Sequence, residues 1–263
     1  MRFALGLEYD GSVFFGWQLQ RQEPTVQGCV ENALAKVADH EIRVSCCGRT
    51  DTGVHALCQV AHFDTHAQRS ERSWVLGLNS RLPAGISVLW IREVDEAFHA
   101  RFTAYARTYR YVILNRWVRP ALDAHRACWY RRPLDADRMH ESAQVLCGEH
   151  DFSAFRAAAC QARHAVREVH AVSVRRQGGR VEIEVTANGF LYHMVRNLAG
   201  SLMSVGCGER PAAWLGEVLR SRDRTRAAPT APAAGLYFVA ARYPDHYGLP
   251  GGAIEFPAGW DAS

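Results

Sequence analysis

Lysine is almost absent from the sequence, since Lys36 is the only lysine among 31 basic residues. Arginine is therefore the ordinary cation of this protein. The eight cysteines include no C-x-x-C pair and no repeated ligand spacing, which argues against a disulfide framework. A zinc site would need Cys46, Cys58, His55 and His62 to converge from a single β-hairpin, so we expect no metal. We interpret most of the cysteines as small buried apolar residues.

Long apolar runs are also missing, and none of those present is long enough to span a membrane. The first ten residues already contain Glu8 and Asp10, too early for a signal peptide. There is no P-loop and no G-x-G-x-x-G motif for a nucleotide cofactor. We therefore expect a cytoplasmic protein without a membrane partner.

The composition is that of an ordinary globular protein, with 48% hydrophobic and 22% charged residues in a chain of 263. That length can form one domain or two closely packed halves. A net charge of +4 permits a polyanionic partner. From Phe98 to Arg132 there are eight arginines, one acidic residue (Asp123) and seven further aromatic residues. Guanidinium groups and aromatic rings bind phosphates and unpaired bases, although a solvated basic face remains the alternative.

Hydrophobic periodicity predicts an α+β fold in two halves. In the first half we predict strands at 3–9, 44–46, 57–63 and 87–94, with helices at 25–37 and 73–82. This β-α-β-β-α-β order is that of a ferredoxin-like unit. The second half repeats it, with strands at 108–114, 166–175, 180–186 and 236–243 and helices at 135–147, 190–205 and 211–220. We assign the halves to residues 1–104 and 105–247, followed by an irregular tail at 248–263.

One stretch, residues 46–56, carries the strongest local signal for a functional site. Gly48 and Gly53 flank Arg49 and Asp51, and glycine permits backbone angles that other residues disfavour. The cation and the carboxylate are therefore expected on a tight loop that can present them to a ligand. The alternative interpretation is that Asp51 is a turn residue bonded to its own backbone.

These residues form the string Gly-Arg-Thr-Asp-x-Gly-Val-His-Ala, followed by Gln59-Val60 and His62-Phe63. The string resembles the signature of the tRNA pseudouridine synthase A family. Further similarity lies in the Gly-Trp-Gln segment that ends at Gln18, whose aromatic residues we expect to pack beneath a loop. Three more motifs match: Arg-x-Tyr-x-Tyr at 107–111, His-Met-Val-Arg-Asn at 193–197 and Gly-Leu-Tyr at 235–237. The resemblance extends from Phe3 to Tyr247.

The resemblance implies a fold and a reaction. The fold would be two pseudo-symmetric ferredoxin-like or RRM-like halves, with mainly antiparallel sheets joined around a central active-site cleft. The reaction would isomerise uridine to pseudouridine at positions 38, 39 and 40 of the tRNA anticodon stem-loop, without a cofactor. The N1–C1′ bond breaks, the uracil rotates, and C1′ rejoins at C5. The resemblance further implies a homodimer.

The resemblance also assigns roles to individual residues. Asp51 would be catalytic, acting at C1′, at C6 of the base or through a glycal. Tyr109 would stack on the target base, Arg196 would pair with Asp51, and Leu236 would line the uracil pocket. Arg49 would enter the stem as the uridine leaves. The remaining predicted RNA contacts are Arg69, the segment Phe98, His99, Ala100, Arg101, Phe102, and the segment Ala159, Cys160, Gln161, Ala162, Arg163.

Two other classes of protein deserve comparison. A non-catalytic protein built from two RRM-like units would bind RNA through aromatic residues on its sheet. It should carry the RRM signature, which is missing, and it gives Asp51 no role. A phosphoryl-transfer or hydrolytic enzyme would need metal-binding carboxylates near Asp51, and Asp39 and Asp64 are not spaced persuasively for that.

Overall fold

The computed structural model describes residues 1–250 and has a mixed α+β fold built on one ten-stranded, mostly antiparallel sheet. The strands are β1 (Arg2–Tyr9), β2 (Ser45–Cys46), β3 (His55–Asp64), β4 (Ile86–Val94), β5 (Ala106–Asn115), β6 (Cys128–Tyr130), β7 (Gly148–Asp151), β8 (Val166–Gln177), β9 (Arg180–Ala187) and β10 (Leu236–Arg242). The α-helices are α1 (Val26–Ala38), α2 (Glu71–Asn79), α3 (Ala136–Ala143), α4 (Met194–Gly206) and α5 (Trp214–Ser221).

The strands lie in the order β4-β1-β3-β10-β5-β9-β8-β7, with β2 on β3 and β6 on β5. The last strand in the chain, β10, therefore lies in the middle of the sheet. It runs parallel to β3, with Tyr237 opposite His55 and Phe238 opposite Ala56, and antiparallel to β5. Segments that are far apart in the chain thus meet in the middle of the sheet.

The two larger hydrophobic cores of the described residues lie along this sheet, and β10 contributes to both. Phe238 belongs to the core that also contains Phe3, Phe63 and Trp74, beside α1 and α2. Leu236, two residues earlier, belongs to the core formed with α3, α4 and α5. Two positions of a single strand, Leu236 and Phe238, therefore connect the two cores.

Side-chain caps start three of the helices. Thr25 accepts a hydrogen bond from the Gly28 amide at the start of α1, and Ser70 accepts one from Ser73 at the start of α2. Asp135 does the same for α3, accepting from the Arg138 amide at 2.9 Å. Each cap satisfies a backbone N–H that has no partner within its helix.

Several predicted boundaries are wrong for local reasons. The helix predicted at 73–82 starts earlier because Ser70 caps it, and it ends at Asn79. The helix predicted at 135–147 changes to a 3₁₀ turn after Ala143, before the short strand β7. The helix predicted at 190–205 starts only at Met194, because His193 has a left-handed backbone with φ of 60°. Strands β6 and β7 were not predicted, since three or four residues show no clear alternation.

Within residues 1–250 we find no helix that combines the length and apolarity needed to cross a bilayer. The predicted tail at 248–263 falls mostly outside the described residues.

Candidate active site

The loop that carries Asp51 connects β2 to β3 and is clamped at its start by the fully buried Gln59. The Gln59 Nε2 donates to the Gly48 carbonyl at 2.5 Å, and its Oε1 accepts from the Gly48 amide at 3.3 Å. Two residues later, the Thr50 hydroxyl lies 2.8 Å from the Tyr9 hydroxyl. Side chains of two core strands therefore fix the loop's position.

A second set of contacts supports the loop from the segment that follows β1. The buried Trp17 donates its amide to the Thr50 carbonyl at 2.9 Å, and the Gly53 amide donates to the Gly11 carbonyl at 3.2 Å. A Cβ at Gly11 would lie 1.9 Å from the Val54 carbonyl oxygen. This close approach explains why residue 11 is a glycine. Trp17 packs beneath the loop, as expected for the Gly-Trp-Gln segment.

The two glycines of the loop are needed for different reasons. Gly53 has φ of +79°, so the predicted unusual backbone angle is confirmed there. Gly48 is not in the left-handed region, so the same prediction is wrong for it. A Cβ at Gly48 would instead lie 3.3 Å from the Tyr109 hydroxyl. Gly48 thus lets the loop approach Tyr109 closely.

Asp51 presents its carboxylate to α4. Its side chain is 35% exposed, with the His193 Nε2 at 3.2 Å and the Arg196 Nη1 at 3.8 Å from Oδ2. The backbone carbonyl of Asp51 accepts from the Val54 amide at 3.1 Å, but its carboxylate makes no hydrogen bond to its own turn within the described residues. The turn-residue interpretation of this side chain is therefore wrong.

Tyr109 and Leu236 lie on neighbouring strands beside this loop. Tyr109 on β5 contacts Phe190 and Phe238 edge-on, with ring centroids 5.0 and 5.2 Å apart. Burial raises the pKa of Tyr109, which keeps its hydroxyl protonated and able to donate. Tyr111, two residues on, is fully buried and donates to the Pro232 carbonyl at 2.7 Å. The structure therefore distinguishes the two tyrosines, which strand alternation alone could not do.

Leu236 is 7% exposed and lies opposite Tyr111 in the sheet. The residue before it, Gly235, has no room for a side chain, since a Cβ would lie 2.7 Å from the Val112 carbonyl oxygen. This close approach to β5 accounts for the glycine at position 235 in the last motif.

Arg196 is held in place by the loop that precedes β10. Its Nε donates to the Ala231 carbonyl at 2.8 Å, and the Ala231 amide donates to the Arg196 carbonyl at 3.1 Å. Asn197 anchors the same loop: its Oδ1 accepts from Thr230 at 2.6 Å and from Arg224 at 3.1 Å. Asn197 itself is fully buried.

His193 is the functional candidate that sequence reasoning missed. Its ring stacks on Tyr192 with centroids 3.9 Å apart, and its Nε2 lies 3.2 Å from both Asp51 Oδ2 and Arg196 Nη1. Burial lowers the pKa of His193, and the charge of Arg196 lowers it further, while Asp51 acts in the opposite direction. The motif that supplied Arg196 contained His193, but nothing in it indicated a contact with Asp51.

The predicted RNA contacts of the first half differ in accessibility. Arg49 is exposed and makes no ion pair with Asp51 within residues 1–250. Arg69 is exposed, and its Nε donates to the Val37 carbonyl at 2.8 Å. It lines a cavity of about 260 Å³ together with Lys36 and Arg81. Each of these side chains can reach a ligand from solvent.

In the segment 98–102, the side chains of Phe98 and Ala100 are fully buried. Arg101 and Phe102 are exposed, with the guanidinium 5.5 Å from the ring centroid. His99 is partly buried and accepts from the Arg101 amide at 3.1 Å. Any side-chain contact from this segment to RNA therefore falls to His99, Arg101 and Phe102.

The segment 159–163 forms a surface loop close to the start of α4. Ala159, Gln161 and Arg163 are exposed, whereas Cys160 and Ala162 are half-buried. Arg156 donates to the carbonyls of Cys160 and Ala162 at 2.8 Å, and the Tyr192 amide donates to the Cys160 Sγ at 3.4 Å. Because Tyr192 precedes His193, this loop lies beside the Asp51 site.

Most of the eight arginines between Phe98 and Arg132 have roles within the fold. Five of them bind acidic side chains or backbone carbonyls: Arg107, Arg110, Arg116, Arg126 and Arg132. Arg101 lies over Phe102, and among the described residues Arg119 and Arg131 have no side-chain partner. The high arginine content of this stretch therefore overstates the basic surface available to RNA.

Among residues 1–250, no group of three or more His, Cys, Asp and Glu side chains is arranged to hold a metal. The two histidines considered for zinc have other contacts. His55 Nε2 lies 2.8 Å from the His125 carbonyl, and His62 Nδ1 accepts from the Ala100 amide at 3.2 Å.

Comparison with known proteins identifies the class to which this fold and site belong. A sequence model described as tRNA pseudouridine synthase matches residues 7–103 and 142–244. The chain belongs to this family. The matched ranges contain Asp51 and Arg196, whereas Tyr109 lies between them.

Curated relatives make the similarity more specific. A protein named tRNA pseudouridine synthase A from Xylella fastidiosa strain M23 is 57% identical over 95% of this chain and 98% of its own. Its namesake from Methylococcus capsulatus strain Bath is 55% identical, covering 97% and 94%. That from Shewanella sp. strain W3-18-1 is 53% identical, covering 95% and 96%.

One solved chain, from a Cbf5-Nop10-Gar1 complex, aligns with 76% of this chain and 45% of its own at 14% identity and a TM-score of 0.32. A likeness this weak supports no conclusion.

Proposed function

We propose that this protein isomerises uridine to pseudouridine at positions 38, 39 and 40 of the tRNA anticodon stem-loop. The observation that carries the proposal is the position of Asp51. Its carboxylate projects from a loop fixed by Gln59, Tyr9 and Trp17 and faces Arg196. The names of the close relatives agree with this activity.

The reaction needs a carboxylate and a closed pocket. Asp51 either stabilises the sugar while the N1–C1′ bond breaks, or attacks C1′ or C6 and forms a bond that is broken again before the product leaves. The detached uracil remains in the pocket, turns, and forms the C1′–C5 bond, and the C5 proton is then lost while N1 gains one. Atoms and electrons balance without an oxidant or reductant. Arg196 places a positive charge near the Asp51 carboxylate, and Tyr109 stacks on the base beside Leu236.

Access to the target requires that the uridine leaves its helix. Extrusion of a base costs a few kcal/mol. Arg49 is exposed on the same loop as Asp51, so its guanidinium can stack in the vacated position. Arg69 and the segments 98–102 and 159–163 are proposed to hold the flanking RNA.

The direct test measures product on an unmodified tRNA transcript that carries uridine at the three positions. Pseudouridine is mapped by carbodiimide-dependent reverse-transcription stops. Wild-type protein should give stops at these positions, whereas Asp51→Asn and Asp51→Ala should reduce the single-turnover rate on the order of a thousandfold or more. Binding of the transcript should be retained, because Asp51 contributes to the reaction rather than to phosphate contacts.

A matched control is Asp137→Ala, which removes an exposed carboxylate from the first turn of α3. Its rate should equal that of the wild type. Tight binding of tRNA without any stops would instead favour the non-catalytic RNA-binding alternative. A comparable loss of rate and of binding in Asp51→Asn would count against the catalytic role of Asp51.

We further propose a cytoplasmic homodimer whose chains each contain two pseudo-symmetric halves, residues 1–104 and 105–247. Support for the symmetry comes from strand order. The first half follows β4-β1-β3-β2 and the second β10-β5-β9-β8, so each places its fourth, first, third and second main strands in that order.

The surface proposed for dimer formation is the loop between β5 and β6, residues 116–127. Trp117 is 80% exposed and Leu122 is 97% exposed. Charges at the end of this loop are already paired, since Arg126 binds Asp10 and Asp123 binds Arg180. Two large apolar side chains exposed this far fit a protein surface better than a phosphate backbone. We therefore assign this loop to a second copy of the chain.

A further inference from the structure

His193 lies between the two residues that the proposed reaction pairs, and the distances separate their roles. Arg196 Nη1 is 3.8 Å from Asp51 Oδ2, which is beyond hydrogen-bonding distance. His193 Nε2 is 3.2 Å from the same oxygen. The only side-chain nitrogen close enough to orient the carboxylate by a hydrogen bond is therefore on His193, within the described residues.

The tautomer of His193 decides whether this bond exists. Its Nε2 faces Asp51, which only accepts hydrogen bonds when ionised, and Arg196, which only donates. With a proton, Nε2 donates to Asp51; without one, it accepts from Arg196 and its lone pair faces the carboxylate. Arg196 already donates from Nε to the Ala231 carbonyl at 2.8 Å and does not depend on His193. Each tautomer leaves one unfavourable contact, because a protonated Nε2 faces the Arg196 Nη1 donor at 3.2 Å and an unprotonated Nε2 turns its lone pair towards the carboxylate. The protonated form gives the Asp51 carboxylate a side-chain donor that it otherwise lacks among the described residues, whereas Arg196 keeps its bond to Ala231 in either form.

The backbone and the neighbours of His193 hold the ring in this position. Its φ of 60° lies in the left-handed region, which non-glycine residues seldom occupy without support. The ring stacks on Tyr192, whose amide in turn donates to the Cys160 Sγ. The ring's orientation is thus set by Tyr192, which is itself held by Cys160.

We propose that His193 is a positioning residue, whose Nε2–H donates to Asp51 and fixes the carboxylate for attack, while Arg196 acts on Asp51 only through its charge. This inference rests on the proposed function. The family resemblance implied that Arg196 alone pairs with Asp51. The inference divides this pairing between His193, which donates a hydrogen bond, and Arg196, which supplies a charge.

The first test reads the tautomer and needs no activity. Nitrogen-15 NMR of histidine-labelled protein reports which ring nitrogen carries the proton, and the His193 signal is assigned by its loss in His193→Gln. We expect the Nε2–H tautomer, with a signal that shifts in Asp51→Asn. An Nδ1–H tautomer, or a signal indifferent to Asp51→Asn, would overturn the proposal even if the protein makes pseudouridine.

The second test compares substitutions that separate the donor from the backbone. His193→Gly and His193→Asn suit the left-handed backbone but lack a donor at the Nε2 position. Both should keep or raise the melting temperature while the single-turnover rate falls on the order of 10- to 100-fold at unchanged tRNA affinity. His193→Gln, whose amide reaches the Nε2 position, should recover most of the rate.

The matched control is His170→Gln on the exposed face of β8, which should match the wild type. A rate for His193→Gln as low as that of His193→Gly would mean that the role is structural and would overturn the proposal. If the wild type gives no pseudouridine at all, the proposed function fails, and the NMR test still decides whether the hydrogen bond exists.

Discussion

At the scale of single residues, His62 shows how burial turns a histidine into a pH-sensitive contact. It is 6% exposed, and its Nδ1 accepts from the Ala100 amide at 3.2 Å. Burial, together with His99 and Arg2, lowers its pKa from 6.5 to about 4. Between these values the unfolded chain binds a proton that the folded chain excludes. The free energy of unfolding therefore falls as the pH drops from 6.5 towards 4.

We predict that His62→Asn weakens this pH dependence. The Asn Oδ1 takes the place of Nδ1 and can accept from Ala100 without titrating. The loss of stability of the wild type between pH 6.5 and 4 should exceed that of the variant by up to about 3 kcal/mol, measured by urea unfolding. His170→Asn, at an exposed site, should retain the wild-type dependence. Equal slopes for His62→Asn and wild type would contradict the assignment.

The candidate site also shows what a motif can indicate about individual residues. Asp51 and Arg196 were found in matched motifs, and the structure brings their charged atoms within 3.8 Å. Gln59 was part of the same motif, yet its role in clamping Gly48 became visible only once β3 was placed against the loop. The role of His193 depends on an unusual φ, which no residue pattern in this sequence indicated.

At the scale of secondary-structure elements, α4 and the loop before β10 form one unit. Gly200 faces this loop, and a Cβ there would lie 2.1 Å from the Pro229 carbonyl oxygen. The contact is with backbone, so it cannot be relieved by turning a side chain. Because Ala231 in the same loop holds Arg196, the packing at Gly200 sets the position of a site residue.

We predict that Gly200→Ala costs about 1–3 kcal/mol of stability and lowers the isomerisation rate, because the loop must move away from α4. The control is Gly216→Ala in α5, where the nearest atoms lie at 3.3 Å and belong to the side chains of Arg220 and Val145. That change should be neutral or stabilising, as expected for alanine in a helix. Thermal unfolding of both variants, with rates below the transition, distinguishes the two cases. Similar stability in the two variants would show that the loop yields easily.

The order of elements was largely predictable because each carries its own period. Every long strand and every helix predicted from periodicity is present, with errors at the ends. The errors arise where a cap or a backbone angle overrides hydrophobicity, as at Ser70 and His193. The short strands β6 and β7 escaped prediction because their strand character comes from pairing with β5 and β8.

At the scale of the whole molecule, the loop at 116–127 exposes two large apolar side chains, Trp117 and Leu122. We predict that the wild type sediments as a dimer and that the double variant Trp117→Asp, Leu122→Asp sediments as a monomer, because two like charges would face their copies across a two-fold axis. Leu76→Asp, on the exposed side of α2, is the control and should remain dimeric. A dimer that persists in the double variant would place the interface elsewhere.

The sequence by itself determined the α+β order, the loop around Asp51 and the family, because each depends on residues close together in the chain. Only the tertiary structure decided which side chains meet. Pairing of β10 with both β3 and β5 brings segments that are far apart in the chain together in the middle of the sheet. The same packing places α4 against the Asp51 loop, so that His193 contacts Asp51 and Asn197 is buried. Contacts between residues so far apart follow from how the helices and sheet pack, and no local pattern encodes them.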